Sequence, residues 1–513
     1  MKVLLPSFAC ALLAACAGPA PPAPRFAPVL VPSAWSESGG VATAMATTTP
    51  LLKATPADAV TAWPQLFDDA VLGALMTRAA TANLDLALAG ARVREARAHA
   101  GLVAAAGQAS FNFSASYARE RDSLNAPRPL LVDRAGDIEA ASSRFDSLYQ
   151  AGVGASWEID GSGTRSHASD AARAEVDALL HEGGAMLATV CAEVARHYVA
   201  LRAAQQQRTL ARADLDAQNA MLALLRSRRS AGYATGIEVA NAAAQGARMA
   251  AQVPFYELEA KRALHRIAVL LGEPPGAMFS DLHGELRAPA PIPQARAGLA
   301  IAAIVLPSEL LRRRPDVQRA ERQLAAATAR REVAIAELFP RLALVGSAGL
   351  ASVSATELLS GASLFARIGP TITWPILRRG QIATAIEVRG ALQEHAFVAY
   401  RQVIVNAFEE VENALGAIDA AQQRRGALVV REGESALVLE LATARYRGGM
   451  AHFLTVLDAR HGLAQARREL ASSDAELATA AIGLFKSAGG AWSAGATPLP
   501  VPAKVLVPAP AGG

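Results

Sequence analysis

The feature that most constrains this chain is a tip motif that occurs twice, 217 positions apart. One copy runs from Tyr446 to Asp458 and the other from Arg229 to Asn241. Gly232 matches Gly449, Val239 matches Val456 and Ala242 matches Ala459. A helix-like pattern precedes and follows each copy. Arginines at the incoming ends (Arg226, Arg228 and Arg229; Arg445 and Arg447) suit the negative pole of a helix C-terminus. The glycine then permits the left-handed turn that ends it. Each copy therefore predicts the tip of a long helical hairpin.

The same offset pairs Trp157 with Trp374, Glu193-Val194 with Glu410-Val411, and Gly272 with Gly489. A repeat of this length is a duplicated half rather than a solenoid unit. Upstream, Leu84-Asp85-Leu86 aligns with Pro315-Asp316-Val317, a separation of 231. The first half thus carries about 14 extra residues (231 less 217), and the Pro- and charge-rich stretch Asp122 to Asp146 reads as a long loop.

Between the loops the hydrophobic period changes. Helical patterning from Trp63 to Ala106 gives way to alternation. Phe111, Phe113, Ala115 and Tyr117 alternate with Asn112, Ser114 and Ser116, and a second run goes from Tyr149 to Ile159. The second half repeats this around Leu342 and Leu344, and again from Ala366 to Ile376. Four strands with one apolar face fit a membrane β-barrel; a soluble two-layer sheet would show the same alternation. The small, uncharged polar face and the lack of a long apolar run favour the membrane. After each strand pair comes a proline-free helical stretch, about Gly163 to Arg229 and Gly380 to Arg447. Each would extend about 100 Å. Both carry coiled-coil seams: Leu187, Cys191, Val194, Tyr198 and Leu201 in one, Ile404, Phe408, Val411, Leu415 and Ile418 in the other. Returning helices follow, about Ile237 to Leu271 and Phe453 to Lys486.

At the N-terminus, Lys2 and the apolar run Val3 to Leu13 form a short secretory signal. Leu13-Ala14-Ala15-Cys16 resembles a bacterial lipobox, in which Cys16 is acylated; an ordinary signal containing a cysteine is the alternative. Cys10 is lost with the signal, so only Cys191 is left as a thiol, which excludes an internal disulfide. The expected organisation is a signal peptide at 1–15, a lipidated Pro/Ala/Ser/Thr-rich tether at 16–55, a first repeat at 56–272, a linker at 273–307, a second repeat at 308–489 and a flexible tail at 490–513. Composition excludes other classes. The formal charge is only +4, no basic block stands out, and nucleic-acid binding gains no support. No His-Glu-x-x-His, phosphate loop or Gly-x-Ser-x-Gly occurs, so the chain reads as a non-enzyme without metal or cofactor.

Four strands cannot close a barrel, which needs at least about eight. An open edge in lipid leaves backbone groups unsatisfied, so the membrane reading demands an oligomer. The motifs Leu306-Pro-Ser-Glu-Leu-Leu-Arg-Arg-Arg-Pro-Asp316, Ser347-Ala-Gly-Leu350, Trp374-Pro-Ile376, Glu409 to Leu415 and Tyr446 to Asp458 resemble those of the TolC-like outer-membrane efflux family. Within it they are similar to the lipoprotein branch with the OprM and NodT proteins. The resemblance runs from about Trp63 to Trp492. It implies a mainly α fold with a membrane β-barrel: a homotrimer in which four strands per subunit close a barrel above a helical periplasmic tunnel. It implies a lipid-anchored, palmitate-bearing outer-membrane duct that passively carries small molecules or drugs from an inner-membrane pump through a periplasmic adaptor. A type I protein-secretion duct and a pore-free coiled-coil lipoprotein are the alternatives.

The resemblance also implies sites. Asp458 matches an aspartate of the periplasmic gate. Thr455 stands where some members have a second one, with Glu238 at the equivalent place in the first half. Asn241 corresponds to Asp458 by the repeat. Tyr446 matches a tyrosine that ties the closed tip, while Ala451 replaces an arginine found in some members. Gly232, Gly448 and Gly449 fall where the adaptor docks. A ring of Asp458 carboxylates would concentrate cations.

Overall fold

The computed structural model describes residues 67, 69–121, 130–132, 138–140, 145–275, 286, 290–294 and 312–489. The expected signal, Cys16, the tether, most of the linker and the tail lie outside the described residues. So do Leu306 to Leu311 of the Arg-Arg-Pro-Asp motif.

Helices α1 (Ala70–Ala82) and α2 (Leu84–Ala105) precede β1 (Ser110–Arg121), a short pair β2 (Leu130–Val132) and β3 (Ile138–Ala140), and β4 (Phe145–Ile159). The long helix α3 (Thr164–Ser230) and the returning α4 (Gly236–Leu270) follow. Then come α5 (Pro315–Ala336), β5 (Arg341–Ser352), β6 (Leu364–Thr373), the long α6 (Arg379–Arg447) and the returning α7 (Phe453–Ser487). The two returning helices begin and end 217 positions apart.

The chain divides into two compact units, each drawn from both halves of the sequence. One comprises Ala96–Glu175 and Leu324–Ala396. Its four strands form an antiparallel sheet in the order β1-β4-β5-β6. Phe111 faces Ala155 and Phe113 faces Val153, and Tyr117 opposes Tyr149 with ring centroids 4.7 Å apart. The central pairing joins the halves, with Trp157 opposite Leu344 and Gly152 opposite Gly349. The apolar row is open to its surroundings: Phe113 is 74% exposed and Ile368 81%.

The strand-to-helix junctions use different donors for one job. Arg165 Nη1 donates to the Gly107 carbonyl at 3.0 Å and to the Glu158 carbonyl at 2.6 Å. In the second half the Trp374 indole donates to the Leu338 carbonyl at 3.0 Å. Trp374 is therefore an anchor beyond the strand. The expected alternation through Ile376 stops at Thr373, and Ile376–Arg378 form a 3-10 turn. The expected loop Asp122 to Asp146 is likewise corrected: Leu130–Val132 pairs with Ile138–Ala140 inside it, and β4 already begins at Phe145.

The other unit takes in the described parts of Ala27–Glu95, Val176–Gln323 and Phe397–Gly513. Its core is the first-half seam: Leu187, Cys191, Val194, Tyr198 and Leu201 are all buried. Leu72, Leu75 and Met76 of α1, Ile267 of α4, and Ile482 and Phe485 of α7 pack on it. The second seam buries Val411, Leu415 and Ile418 against Leu484, with Phe408 partly covered.

The helical patterning expected from Trp63 to Ala106 divides at Asn83 into α1 and α2. Asn83 Oδ1 accepts from the N–H groups of Asp85 and Leu86 at 2.9 and 3.1 Å, the geometry that starts a new helix. Its Nδ2 donates to the Leu270 carbonyl at the end of α4, 2.9 Å away. In the second half Arg314, 6% exposed, donates to the Ser487 carbonyl at the end of α7, 3.0 Å away. It also grips Asp316 (3.0 and 2.6 Å) and Glu410 (2.7 Å), which balance its buried charge.

Gly272 sits just past the end of α4 with φ +74°, and a Cβ there would lie 2.4 Å from the Ala82 carbonyl oxygen. Gly232 has φ +80° but no atom within 4 Å of the same position. Gly232→Ala is expected to cost about 1–2 kcal/mol from the left-handed backbone alone. Gly272→Ala should cost about 1–3 kcal/mol more through overpacking. Denaturant unfolding of the two variants in parallel measures the difference.

Candidate functional site

The site is built by the two hairpin tips. At the end of α3 the Gly232 N–H donates to the Arg229 carbonyl (3.0 Å) and the Tyr233 N–H to that of Arg228 (2.8 Å). At the end of α6 the Gly449 N–H donates to the Tyr446 carbonyl (3.0 Å) and the Met450 N–H to that of Arg445 (2.8 Å). Both are Schellman caps, and each needs its left-handed glycine, Gly232 at φ +80° and Gly449 at φ +73°. Gly448 lies just before the cap; its N–H bonds to the Ala444 carbonyl at 3.0 Å.

The helices that leave the tips start differently. Thr235 caps α4 in a complete capping box. The Glu238 N–H bonds to Thr235 Oγ1 at 3.3 Å. The Glu238 carboxylate accepts from the Thr235 N–H at 2.7 Å and from its hydroxyl at 3.0 Å. These bonds hold the Glu238 carboxyl below the usual carboxylate range. α7 begins after His452 with no side-chain cap, and the Thr455 N–H reaches only the His452 carbonyl at 3.1 Å.

The two tips share one small core. Leu225 of α3, Ala242 of α4, and Phe453 and Leu457 of α7 are buried together, with Tyr446 packed on them. The Tyr446 ring lies 5.4 Å from that of Phe453, and the Arg228 guanidinium sits over it at 5.4 Å. Its hydroxyl is enclosed and has no hydrogen-bond partner among the described residues. Tyr446 thus ties the tips through its ring rather than its hydroxyl.

Thr455, Asp458 and Asn241 are exposed. Thr455 and Asp458, three apart, share one face of α7. No hydrogen bond or ion pair holds Asp458 among the described residues. The structure therefore brings Tyr446 into contact with the first hairpin, and leaves Asp458, Thr455 and Asn241 free on the helix surfaces. Cys191 is buried in the core, where burial pushes its thiol up to about 12 and makes it inert. The sequence places Arg228 only at a helix C-terminus, with no sign of its contact with the Tyr446 ring, and the Thr-x-x-Glu spacing that marks Glu238 as a capping residue was passed over.

Among the described residues, no group of His, Cys, Asp or Glu is arranged to hold a metal, and no helix is long and apolar enough to cross a membrane. The profile of the family described as outer membrane efflux protein matches residues 75–273 and 306–490. The chain belongs to the outer membrane efflux protein family. It is 31% identical to the pyoverdine export outer membrane protein OpmQ of Pseudomonas aeruginosa, over 96% of this chain and 97% of OpmQ. It is 30% identical to the outer membrane protein OprJ of the same species, over 70% of this chain and 74% of OprJ. Among solved structures, the outer-membrane channel OprN superposes with a TM-score of 0.78 at 29% identity, covering 91% of this chain and 99% of OprN. These structural neighbours are TolC-like channels, so the resemblance read in the tip and strand motifs holds.

The capping box gives a pH test. The Glu238 pKa is depressed in the folded chain, so its contribution is present above the unfolded value and lost as pH falls through the folded one. Amide protection in the first turn of α4, taken relative to the intrinsic exchange rate at each pH, should be high at neutral pH and fall in acid. Thr235→Ala should lower it at neutral pH, while the first turn of α7 shows neither response.

Proposed function

We propose that this protein is the outer-membrane subunit of a tripartite efflux system: a passive homotrimeric duct for small molecules or drugs, fed by an inner-membrane pump through a periplasmic adaptor. The observation that carries this reading is the sheet. β1 and β6 are its edges, and neither has a further strand among the described residues. An apolar, exposed sheet with two open edges is stable in lipid only when neighbours pair with both. Three copies would give twelve strands, enough to close a barrel. The tip glycines Gly232, Gly448 and Gly449 would form the adaptor's docking places, where exposed apolar residues such as Tyr233 and Met450 stand beside them. Asp458, with Thr455, Asn241 and Glu238, would line the periplasmic gate, and Tyr446 would hold it shut.

The duplicated organisation belongs to the same reading: repeats at 56–272 and 308–489, joined by 273–307, behind a signal at 1–15 and a tether at 16–55 lipidated at Cys16, with a tail at 490–513. The equal spacing of the tip glycines and of the returning helices supports the duplication. A narrower cargo is favoured by one finding. The relative OpmQ, named for pyoverdine export, aligns along nearly its whole length. Siderophore-like molecules are therefore the first cargo to assay.

Planar-bilayer conductance of the purified protein, with its mass measured in parallel, tests the duct. A trimer with small, cation-leaning conductance is expected; a monomer without conductance overturns the reading. Asp458→Ala should raise conductance and weaken cation preference, and unchanged values would remove Asp458 from the gate. Cys16→Ser should abolish incorporation of labelled palmitate, whereas persistent labelling would refute lipidation at Cys16.

A further inference from the structure

Alternation along β1, β4, β5 and β6 gives their sheet two faces. The register puts Phe111, Phe113, Val153, Trp157 and Ile368 on the apolar one. Along its middle, the other face is built of small uncharged residues, with one charged exception. Asn112 stands opposite Gly154, Gly154 opposite Ser347, and Ser347 opposite Arg367. In the next row towards the β5–β6 connection, Ser114, Gly152, Gly349 and Phe365 follow in the same way. Arg367 is exposed, and its guanidinium has no hydrogen bond or ion pair among the described residues. The charges at the helix end of the same face are matched, Glu158 by Arg165 (3.2 Å) and Arg341 by Glu337 (3.8 Å).

An unpaired guanidinium is tolerated in water and costly in hydrocarbon, so this face of the sheet is the wet one. β6 is an edge strand. A neighbouring copy's β1 docked on it would bring Ser110, Asn112, Ser114 and Ser116 to the same face, and none of them carries a charge. The arginine therefore stays unbalanced when the barrel closes. Three copies place three such groups in one ring inside a low-dielectric wall, which focuses their field. Rings of Arg or Lys favour anions in pores. Gly154 and Ser347 in the same row leave the guanidinium room to turn. Phe365, two residues away on the same face, adds an aromatic surface beside the charge.

We propose that Arg367 and Phe365 form a binding station on the lumen wall of the barrel for bulky organic anions. The anionic group sits on the guanidinium fork and the hydrocarbon body on the Phe365 ring. A planar fork with several donors suits a carboxylate or a sulfonate better than a point charge does. The station rests on the duct reading and narrows its cargo to a chemical class. Within that reading Asp458 acts on small ions at the entrance, and Arg367 on larger anions in the barrel.

Pyrenetetrasulfonate, a fluorescent aromatic anion, is the probe, titrated by anisotropy into the full-length purified protein. The wild type is expected to bind it. Arg367→Gln should bind it about tenfold or more weakly, the loss of one charge-assisted contact. Arg367→Lys should keep most of the affinity, and Phe365→Ala should lower it. Arg367→Glu should lose the probe and gain affinity for a trimethylammonium-bearing pyrene. No binding by the wild type, or equal binding by Arg367→Gln, overturns the proposal. In planar bilayers the same probe should block the wild-type current and leave that of Arg367→Gln open. Conductance with equal block in both proteins overturns the station and leaves the duct. Binding that depends on Arg367 in a protein without conductance would keep the station and count against the duct.

Discussion

Helices of 67 and 69 residues depend on what lies along their sides. Backbone hydrogen bonds fix the local turn, but they do not fix direction over such a length or the choice of neighbour. In the helical unit that task falls to the apolar seam of α3. Leu187, Cys191, Val194, Tyr198 and Leu201 are each almost fully shielded. They form the surface on which α1, α4 and α7 converge. Polar ties then fix the register that apolar contact leaves loose. Tyr198 donates to Asp69 at the start of α1 (2.8 Å), Arg202 donates to Tyr198 (3.1 Å), and Gln205 donates to the Leu286 carbonyl.

Equivalent places in the two halves solve the same physical problem with different chemistry. The terminal carbonyl of a returning helix is satisfied by an amide in one half (Asn83) and by a guanidinium in the other (Arg314). The helix-to-strand bend is tied by Arg165 in one and Trp374 in the other. One tip restarts its helix with a capping box, the other without. What persists is the backbone demand, an unsatisfied carbonyl or N–H at a fixed place. The side chains that meet it differ between the two halves.

This explains what was legible in the sequence. Period and punctuation are local, so the hairpin tips, the proline-free helices, both seams and the four strands could be read from residue spacing. The family motifs then led to the correct family. Partners distant in sequence left no such trace. Nothing near Asn83 announces that Leu270 will need a donor, and nothing near Arg314 names Ser487. Trp374 continued an alternation, but β6 ends at Thr373 and the indole bonds the Leu338 carbonyl instead. For the tips, the glycines were legible because a turn dictates them, and Tyr446 stood out only through the family motif. That the tyrosine ring would meet Arg228 and Phe453 was not, since those contacts cross between hairpins. Glu238 was a different kind of miss: its capping spacing was in plain view, but was read as charge rather than as geometry.

The central seam of the sheet also bears on how the chain is made. β4 finishes at Ile159, and its partner β5 begins about 180 residues later. During synthesis the β1–β4 hairpin must therefore wait while α3, α4 and the start of the second half emerge. Throughout that interval it presents an unpaired edge and an apolar face. Such an interval is an aggregation hazard for any nascent chain. For this one the exposed edge of β4 is covered only once Gly349 arrives opposite Gly152.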